Sequence, residues 1–152
     1  MRNKPTTAKD IMWIPRRMHR SPAFRKLTAT AILILLEFKY RCQYTRPGTK
    51  GKWHQVNDGE LIFTYAEAVK KFGMSRSTFR SCIDQLLNLG FIYIAHHGGG
   101  MLKDCSKYGI CERWKEYGKE EFIEKSRQKD TRKLGFTKNN WEERTGRKRK
   151  LN

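Results

Sequence analysis

Apolar and polar positions recur with a helical period in the middle of the chain. The apolar residues are spaced three and four apart at Phe79, Cys82, Ile83, Leu86 and Leu87. This spacing places them on one side of a helix and turns the polar residues between them outward. Ser75 can cap the start of this helix, and Gly90 can end it. The pattern predicts an amphipathic helix with its outward polar residues concentrated in the N-terminal half.

A shorter helix is predicted immediately before it. Thr64 and Glu67 have the T-x-x-E spacing of a capping box, in which hydroxyl and carboxylate accept from reciprocal backbone N–H groups. Gly73 can adopt the left-handed conformation that closes a helix, so this helix should end at Phe72. The two helices would then be joined by a three-residue turn.

Two further helices are predicted in the first third of the chain. Ser21 followed by Pro22 starts a short one, and Thr28 caps a longer one that runs from Ala29 to about Gln43. The longer helix has little polar face, so it should be buried on most sides. The loop TRPGTKGKWHQVNDG, rich in Gly and basic residues, separates it from a short strand, Leu61 to Phe63.

The segment after Gly90 predicts a β-hairpin. FIYIA reads as a strand, HHGGG as a glycine-rich tip and YGICERW as the return strand. The helix from Ala29 and the two helices of the pair, with a strand before the second and a hairpin after the third, predict a mainly helical α+β fold, the winged helix-turn-helix. We expect a basic N-terminal arm at 1–20, this domain at 21–114, and a basic C-terminal extension at 115–152. The extension should be partly helical, through EEFIEKSRQK, and then flexible.

Charge is distributed unevenly along the 152 residues, which carry a formal net charge of +18. Basic and acidic residues number 13 and 3 in residues 1–58, 7 and 5 in residues 59–114, and 13 and 7 in residues 115–152. The excesses are therefore +10, +2 and +6, so the flanks carry most of the positive charge. Such a balance favours attraction to a polyanion over a merely solubilising surface.

Several classes of protein are disfavoured by the sequence. The longest apolar run, Ala31 to Leu36, is far shorter than the roughly 20 residues of a membrane span. MRNKPTTAKD lacks the apolar segment of a secretory signal. The scattered cysteines suit reduced thiols, so a cytoplasmic location is expected, on the nucleoid if the host is bacterial. Cys105 and Cys111 with His96 and His97 lack regular zinc-ligand spacing, and no metal or other cofactor is expected.

Enzymatic motifs are incomplete. HGGG at 97–100 is typical of an esterase oxyanion loop, but the chain has GMSRS where a G-x-S-x-G nucleophile elbow would be needed. No D-x-D, H-x-x-E-H or P-loop spacing is present to support phosphodiester or nucleotide chemistry. We expect binding without catalysis.

A resemblance to a known class adds to this interpretation. The pattern G-x-S-x-x-T-F at 73–79, followed by Ile83, Leu86 and LGFI, resembles winged-helix proteins of phages, plasmids and integrated mobile elements. IPRRMHRSPAF, at 14–24, is similar to the segment before their first core helix. The likeness covers roughly residues 14–114 and implies a DNA-binding fold used in replication initiation or transcription control. Val69 departs from the pattern, which usually has Ala there, and suggests a slightly wider helix crossing.

Candidate contacts fall into three groups. The second helix of the pair, as a recognition helix, offers residues whose side chains suit base edges in a major groove: Ser75, Arg76, Ser77, Thr78, Arg80, Ser81 and Gln85. The hairpin offers contacts to phosphate or the minor groove: His96, His97 and Lys103. The arm and tail offer phosphate contacts: Arg16, Arg17, Arg20, Arg147, Lys148, Arg149 and Lys150.

The sequence therefore predicts a non-enzymatic protein of a phage or mobile element that binds double-stranded DNA in transcription regulation or replication initiation. Two alternatives stay open. Aromatics and basic residues alternate in the tail, which also suits an RNA-binding subunit of a ribonucleoprotein. The exposed helix face would equally serve a protein–protein adaptor. A homodimer or a partner protein is compatible with the apolar surface, and no membrane partner is expected.

Overall fold

The computed structural model describes residues 12–98 and 104–127. Over these ranges the chain has an α+β architecture, with five α-helices and two small antiparallel sheets. The helices are α1 Arg16–His19, α2 Pro22–Arg25, α3 Ala29–Arg41, α4 Tyr65–Phe72 and α5 Arg76–Asn88. The strands are β1 Tyr44–Thr45, β2 His54–Gln55, β3 Leu61–Ile62, β4 Ile92–His96 and β5 Lys107–Ile110. No helix in these ranges has the length and apolarity required to cross a bilayer.

The predicted caps begin the helices. The hydroxyl oxygens of Ser21, Thr28 and Ser75 each accept from the backbone N–H three residues on, at 3.1 to 3.2 Å. Both halves of the capping box between Thr64 and Glu67 are present, and Gly73 ends α4 with a φ of 64°. These contacts satisfy N–H groups that have no partner inside the helix. Local sequence alone therefore sets the ends of α4 and the start of α5.

The core lies between α3, α5 and a three-stranded sheet. Phe38 of α3 and Phe79 of α5 are almost fully buried, and both pack edge-on against Phe63, at ring distances of 6.1 and 5.2 Å. Phe63 follows β3 directly, so it joins the sheet to both helices. The buried stripe predicted on α5 is confirmed, since all five of its apolar residues are buried.

A buried carboxylate connects α3 to α4. Glu37, 5% exposed, accepts from Arg41 Nε at 2.9 Å and from Lys71 Nζ at 2.6 Å. Arg41 also donates to Glu67 at 3.0 Å and to the Ile62 carbonyl, and its guanidinium lies 4.6 Å from the centre of the Phe63 ring. These polar contacts link α3, β3 and α4 at the edge of the core.

The three-stranded sheet has the order β3-β5-β4, with Leu61 opposite Tyr108 and Ile92 opposite Ile110. The return strand is shorter than predicted, because it ends at Ile110 and not at Trp114. Trp114 lies in a 3-10 turn, Arg113–Glu116, where it stacks on Phe91 at 6.1 Å and is 3% exposed. The strand gives way to this turn, which buries the face of the indole against Phe91.

Three further predictions from local pattern differ from the structure. The basic loop contains a hairpin, in which β1 pairs with β2. Residues assigned to the N-terminal arm form α1, whose Met18 is 3% exposed within the core, so packing begins before residue 21. The helix predicted at 120–129 is absent from 120–127, the part that the structure describes. Its two apolar residues, Phe122 and Ile123, are adjacent and cannot form one helical stripe.

Val69, the departure from the winged-helix pattern, does not occupy a buried position in α4. Val69 is 46% exposed, whereas its neighbour Ala68 is fully buried. The small residue on the core side of α4 is therefore Ala68.

Candidate nucleic-acid interface

The N-terminal half of α5 is presented to solvent by the elements beneath it. The turn at Gly73 redirects the chain after α4, and Ser75 caps α5. Phe79 and Ile83 anchor the inner side in the core, each no more than 2% exposed. Ser75, Arg76, Ser77, Thr78, Arg80 and Ser81 are all exposed, as predicted.

The N-terminal half of α5 carries two arginines, Arg76 and Arg80. Within residues 12–98 and 104–127, neither Arg76 nor Arg80 makes a hydrogen bond or an ion pair with another side chain. In the part of the chain that the structure describes, the donors of both guanidinium groups therefore remain available to an outside acceptor. Ser75 and Thr78, by contrast, are partly used within the cap, because their hydroxyls lie 2.8 Å apart.

A hydroxyl-lined groove runs beside this half of α5. It has a volume of about 370 Å³ and lies between the start of α3 and α5. Its hydroxyl lining comes from Thr28, Thr30, Ser77, Thr78 and Ser81. Hydroxyl groups and the positive end of a helix dipole are suited to phosphate oxygens.

Gln85, predicted to contact bases, is engaged inside the protein. Its Oε1 accepts from the backbone N–H of Thr28 at 3.0 Å and from the Thr28 hydroxyl at 3.1 Å. Its Nε2 points to the Lys26 carbonyl at 3.4 Å. The amide completes the N-terminal cap of α3 and holds α3 against α5. A base contact would require these bonds to be broken, so the prediction that Gln85 contacts a base conflicts with its role between α3 and α5.

The C-terminal half of α5 is covered by the chain that follows the 3-10 turn. We call residues 117–127 the strap. Arg127 donates to both carboxylate oxygens of Asp84 at 2.6 and 2.7 Å, and Arg113 donates to the carbonyls of Leu87 and Ile123 at 2.8 and 2.7 Å. Burial lowers the pKa of Arg127, but the bonds to Asp84 outweigh it and the net pKa is raised. Among residues 12–98 and 104–127, the strap contacts the C-terminal half of α5 and leaves the N-terminal half exposed.

The hairpin between β4 and β5 carries part of its predicted site. His96 Nε2 lies 2.7 Å from Asp104 Oδ1, so one of its ring nitrogens is occupied by an intramolecular contact. His97 is exposed. Lys103 falls outside the described residues. The carboxylate of Asp104 offsets charge at this hairpin and weakens the case for a phosphate contact through His96.

Of the arm and tail cations, the structure places the first three. Arg16, Arg17 and Arg20 are exposed on and just after α1. Arg17 lies near Glu112, whose pKa is lowered first by its bond to Lys115 and further by the charges of Arg17 and Lys39. Arg17 is thus near the end of β5. Arg147, Lys148, Arg149 and Lys150 fall outside the described residues.

The four residues considered for zinc do not converge in the described ranges. No group of three His, Cys, Asp or Glu side chains is placed there to hold a metal ion. Cys111 instead contacts the Gly90 carbonyl at 3.0 Å, while His96 contacts Asp104.

The strap and the β1–β2 hairpin were not predicted as surface features. Arg127 and Asp84 are 43 residues apart, and no local pattern links them. The acid-free run of basic residues between Glu37 and Asp58 was a signal that could have identified the hairpin as a charged surface.

Comparison with known proteins gives no relative from which to transfer a function. No protein-family model, curated protein or solved structure shows a significant match to the chain.

Proposed function

We propose that the chain is a winged helix-turn-helix protein that binds double-stranded DNA, with α5 as its recognition helix. Helices α3, α4 and α5 supply the three-helix core, and the β4–β5 hairpin supplies the wing. The helix pair α4–α5 has the short turn of a helix-turn-helix, and β3 adds a third strand to the hairpin. This arrangement of helices and strands supports a winged helix-turn-helix.

The observation that carries the proposal is the exposed N-terminal half of α5, whose two arginines have no ion-pair partner among residues 12–98 and 104–127. A B-DNA major groove admits one α-helix, and its first turns meet the base edges. Arginine can donate two hydrogen bonds to guanine O6 and N7. Arg76 and Arg80 lie in the first two turns, next to Ser77 and Ser81, in the half of the helix that the strap does not cover.

The distribution of charge along the chain also supports duplex binding through α5. The flanking segments carry excesses of +10 and +6, whereas residues 59–114 carry only +2. Phosphate contacts from such flanks would position the protein and supply salt-dependent affinity, while α5 reads the bases. On this proposal the protein binds without catalysis at a promoter or replication origin of a phage or other mobile element, a role supported by the resemblance of residues 14–114.

The proposal is tested by selecting bound sequences from random pools of duplex DNA and of structured RNA at matched salt. We expect a defined duplex motif to be enriched, with a dissociation constant well below that for random DNA. Preference for structured RNA would favour a ribonucleoprotein subunit. Micromolar or weaker binding to both pools, without sequence preference, would favour a protein adaptor.

Arg80 provides the sharpest single-residue test. Arg80→Ala should weaken binding to the selected site by about 1–3 kcal/mol with little loss on random duplex, because a base contact contributes only at the correct base. Arg25→Ala removes the same charge from exposed α2 and serves as the matched control. Titrations of labelled duplexes measure both. Equal losses on selected and random DNA for Arg80→Ala would contradict a base contact.

A further inference from the structure

The β1–β2 hairpin is a second charged surface, separate from α5. Residues 44–55 include Arg46, Lys50 and Lys52, and the chain has no Asp or Glu from residue 38 to residue 57. The first acid after the hairpin, Asp58, is engaged by the larger sheet: its carboxylate accepts from Tyr93 Oη at 3.0 Å and from the Ile110 N–H at 3.1 Å. The projecting part of the hairpin is therefore purely basic.

Aromatic side chains are exposed on the same hairpin. Trp53 is 66% exposed and Tyr44 is 51% exposed. The register sets Tyr44 opposite Gln55 and Thr45 opposite His54. Arg46 directly follows β1 and Trp53 directly precedes β2, so both lie next to the paired residues, toward the tip of the hairpin. Tyr44 lines a groove against the main domain with Asp58 and Glu112, so the exposed indole of Trp53 is the aromatic surface that accompanies the cations of the hairpin.

The base of the hairpin is held in place by side-chain contacts to the main domain. The Asn57 amide accepts from Gln43 N at 2.8 Å and donates to the Arg41 carbonyl at 2.8 Å. Val56 N donates to the Gln43 carbonyl at 2.9 Å, which extends the ladder by one bond. At the tip, Arg46 Nε donates to the Gly51 carbonyl at 2.8 Å. These contacts fix the base of the hairpin to the main domain and join its two sides at the tip.

We propose that the β1–β2 hairpin is a second nucleic-acid site, and that its ligand is a single strand with unpaired bases. An exposed indole offers a flat apolar face for stacking, and the faces of duplex bases are already covered by their neighbours. Unpaired bases stack on aromatic side chains irrespective of sequence, while the adjacent cations follow the backbone phosphates. An apolar protein partner could bury the Trp53 indole, but it would not compensate the positive charges around it. The site goes beyond the duplex contact proposed for α5 and does not depend on it.

The test uses the full chain and a fluorescent oligothymidylate of about 16 nucleotides, long enough for one such site. Trp53→Leu keeps an apolar side chain but removes the stacking surface, and should weaken binding about fivefold or more. Trp13→Leu is the matched control, because Trp13 is 82% exposed outside the hairpin, and should bind as the unmodified chain does. Unchanged thermal unfolding midpoints confirm that both variants fold.

The cations give a second readout. Lys50→Gln with Lys52→Gln should lower the slope of log affinity against log salt by about 1.4, since each single-strand phosphate contact contributes roughly 0.7. Arg80→Ala should leave oligothymidylate binding unchanged, so this site and the α5 proposal can fail separately. The inference is overturned if the chain does not bind oligothymidylate, or if Trp53→Leu and Trp13→Leu lose affinity equally.

Discussion

Among single residues, Glu37 shows how a charge is tolerated at the edge of this core. Burial of a lone carboxylate is costly, but two cations converge on this one. Arg41 Nε and Lys71 Nζ lie 2.9 and 2.6 Å from its oxygens, and Lys71 reaches it from α4. Glu37 therefore stabilises the packing of α3 against α4, the helix that precedes the proposed recognition helix.

Glu37→Gln should lower the free energy of unfolding by about 2–3 kcal/mol, because two charge-assisted hydrogen bonds are weakened while the side-chain volume is kept. Urea unfolding measures the change. Glu116→Gln is the control: its partner Lys119 is exposed, and loss of such a surface pair should cost less than about 1 kcal/mol. Equal losses in the two variants would contradict a special role for Glu37.

The same carboxylate predicts a pH dependence. Burial raises the pKa of Glu37, but the bonds from Lys71 and Arg41 outweigh it, and the net pKa lies below the ordinary 4.5. A depressed pKa in the folded state contributes stability above 4.5, and this contribution is lost as the pH falls through the lower, folded-state pKa. Over that acidic window, the stability of Glu37→Gln should fall less steeply than that of the unmodified chain. Parallel pH profiles would contradict this assignment.

At the scale of elements, prediction succeeded where the determining contacts are local. Caps such as Ser75 and the Thr64–Glu67 box act over three residues, so their sequence spacing was sufficient. The end of β5 could not be predicted in the same way, because it is followed by a turn in which Trp114 stacks on Phe91. These two residues are far apart in sequence. The pairing of β1 with β2 was missed for a related reason: the paired segments are only two residues each and carry no alternating apolar pattern.

Gln85 illustrates the same limit within α5. Its position on the outward side of a helix indicated a base contact, but its partner Thr28 lies 57 residues away in sequence and only 3.0 Å away in space. Helical periodicity identifies which side of a helix a residue occupies, and it does not identify a neighbouring helix end that competes for the amide.

Gln85→Ala should therefore alter stability and not base preference. Loss of the amide leaves the Thr28 N–H without its acceptor and should lower the free energy of unfolding by about 1 kcal/mol. The duplex sequence enriched in selection should be the same as for the unmodified chain. A changed preference at one base position, with unaltered stability, would instead return Gln85 to the base-contacting set.

At the scale of the whole molecule, the strap determines how much of α5 a duplex can reach. Arg127 binds Asp84 through both oxygens, so the strap covers the C-terminal half and neutralises the carboxylate of that half. The strap ends where the tail begins, and residues 128–152 carry nine basic and three acidic side chains. The bond between Arg127 and Asp84 therefore holds residue 127, which directly precedes this basic segment, against α5. The sequence shows the basic segment but not this bond.

Arg127→Ala should weaken duplex binding through more than the loss of one cation, because it leaves Asp84, four residues after Arg80 on α5, as an unpaired negative charge next to the proposed duplex contact. The added repulsion should be about 0.5–1 kcal/mol, or about two- to fivefold in Kd. Arg127→Ala combined with Asp84→Asn should recover that part of the affinity, since the repelling carboxylate is gone. Asp84→Asn alone is the control and should bind duplex at least as well as the unmodified chain. Equal Kd values for Arg127→Ala with and without Asp84→Asn would show that Asp84 does not face the DNA, and α5 would then have to approach the duplex through another side.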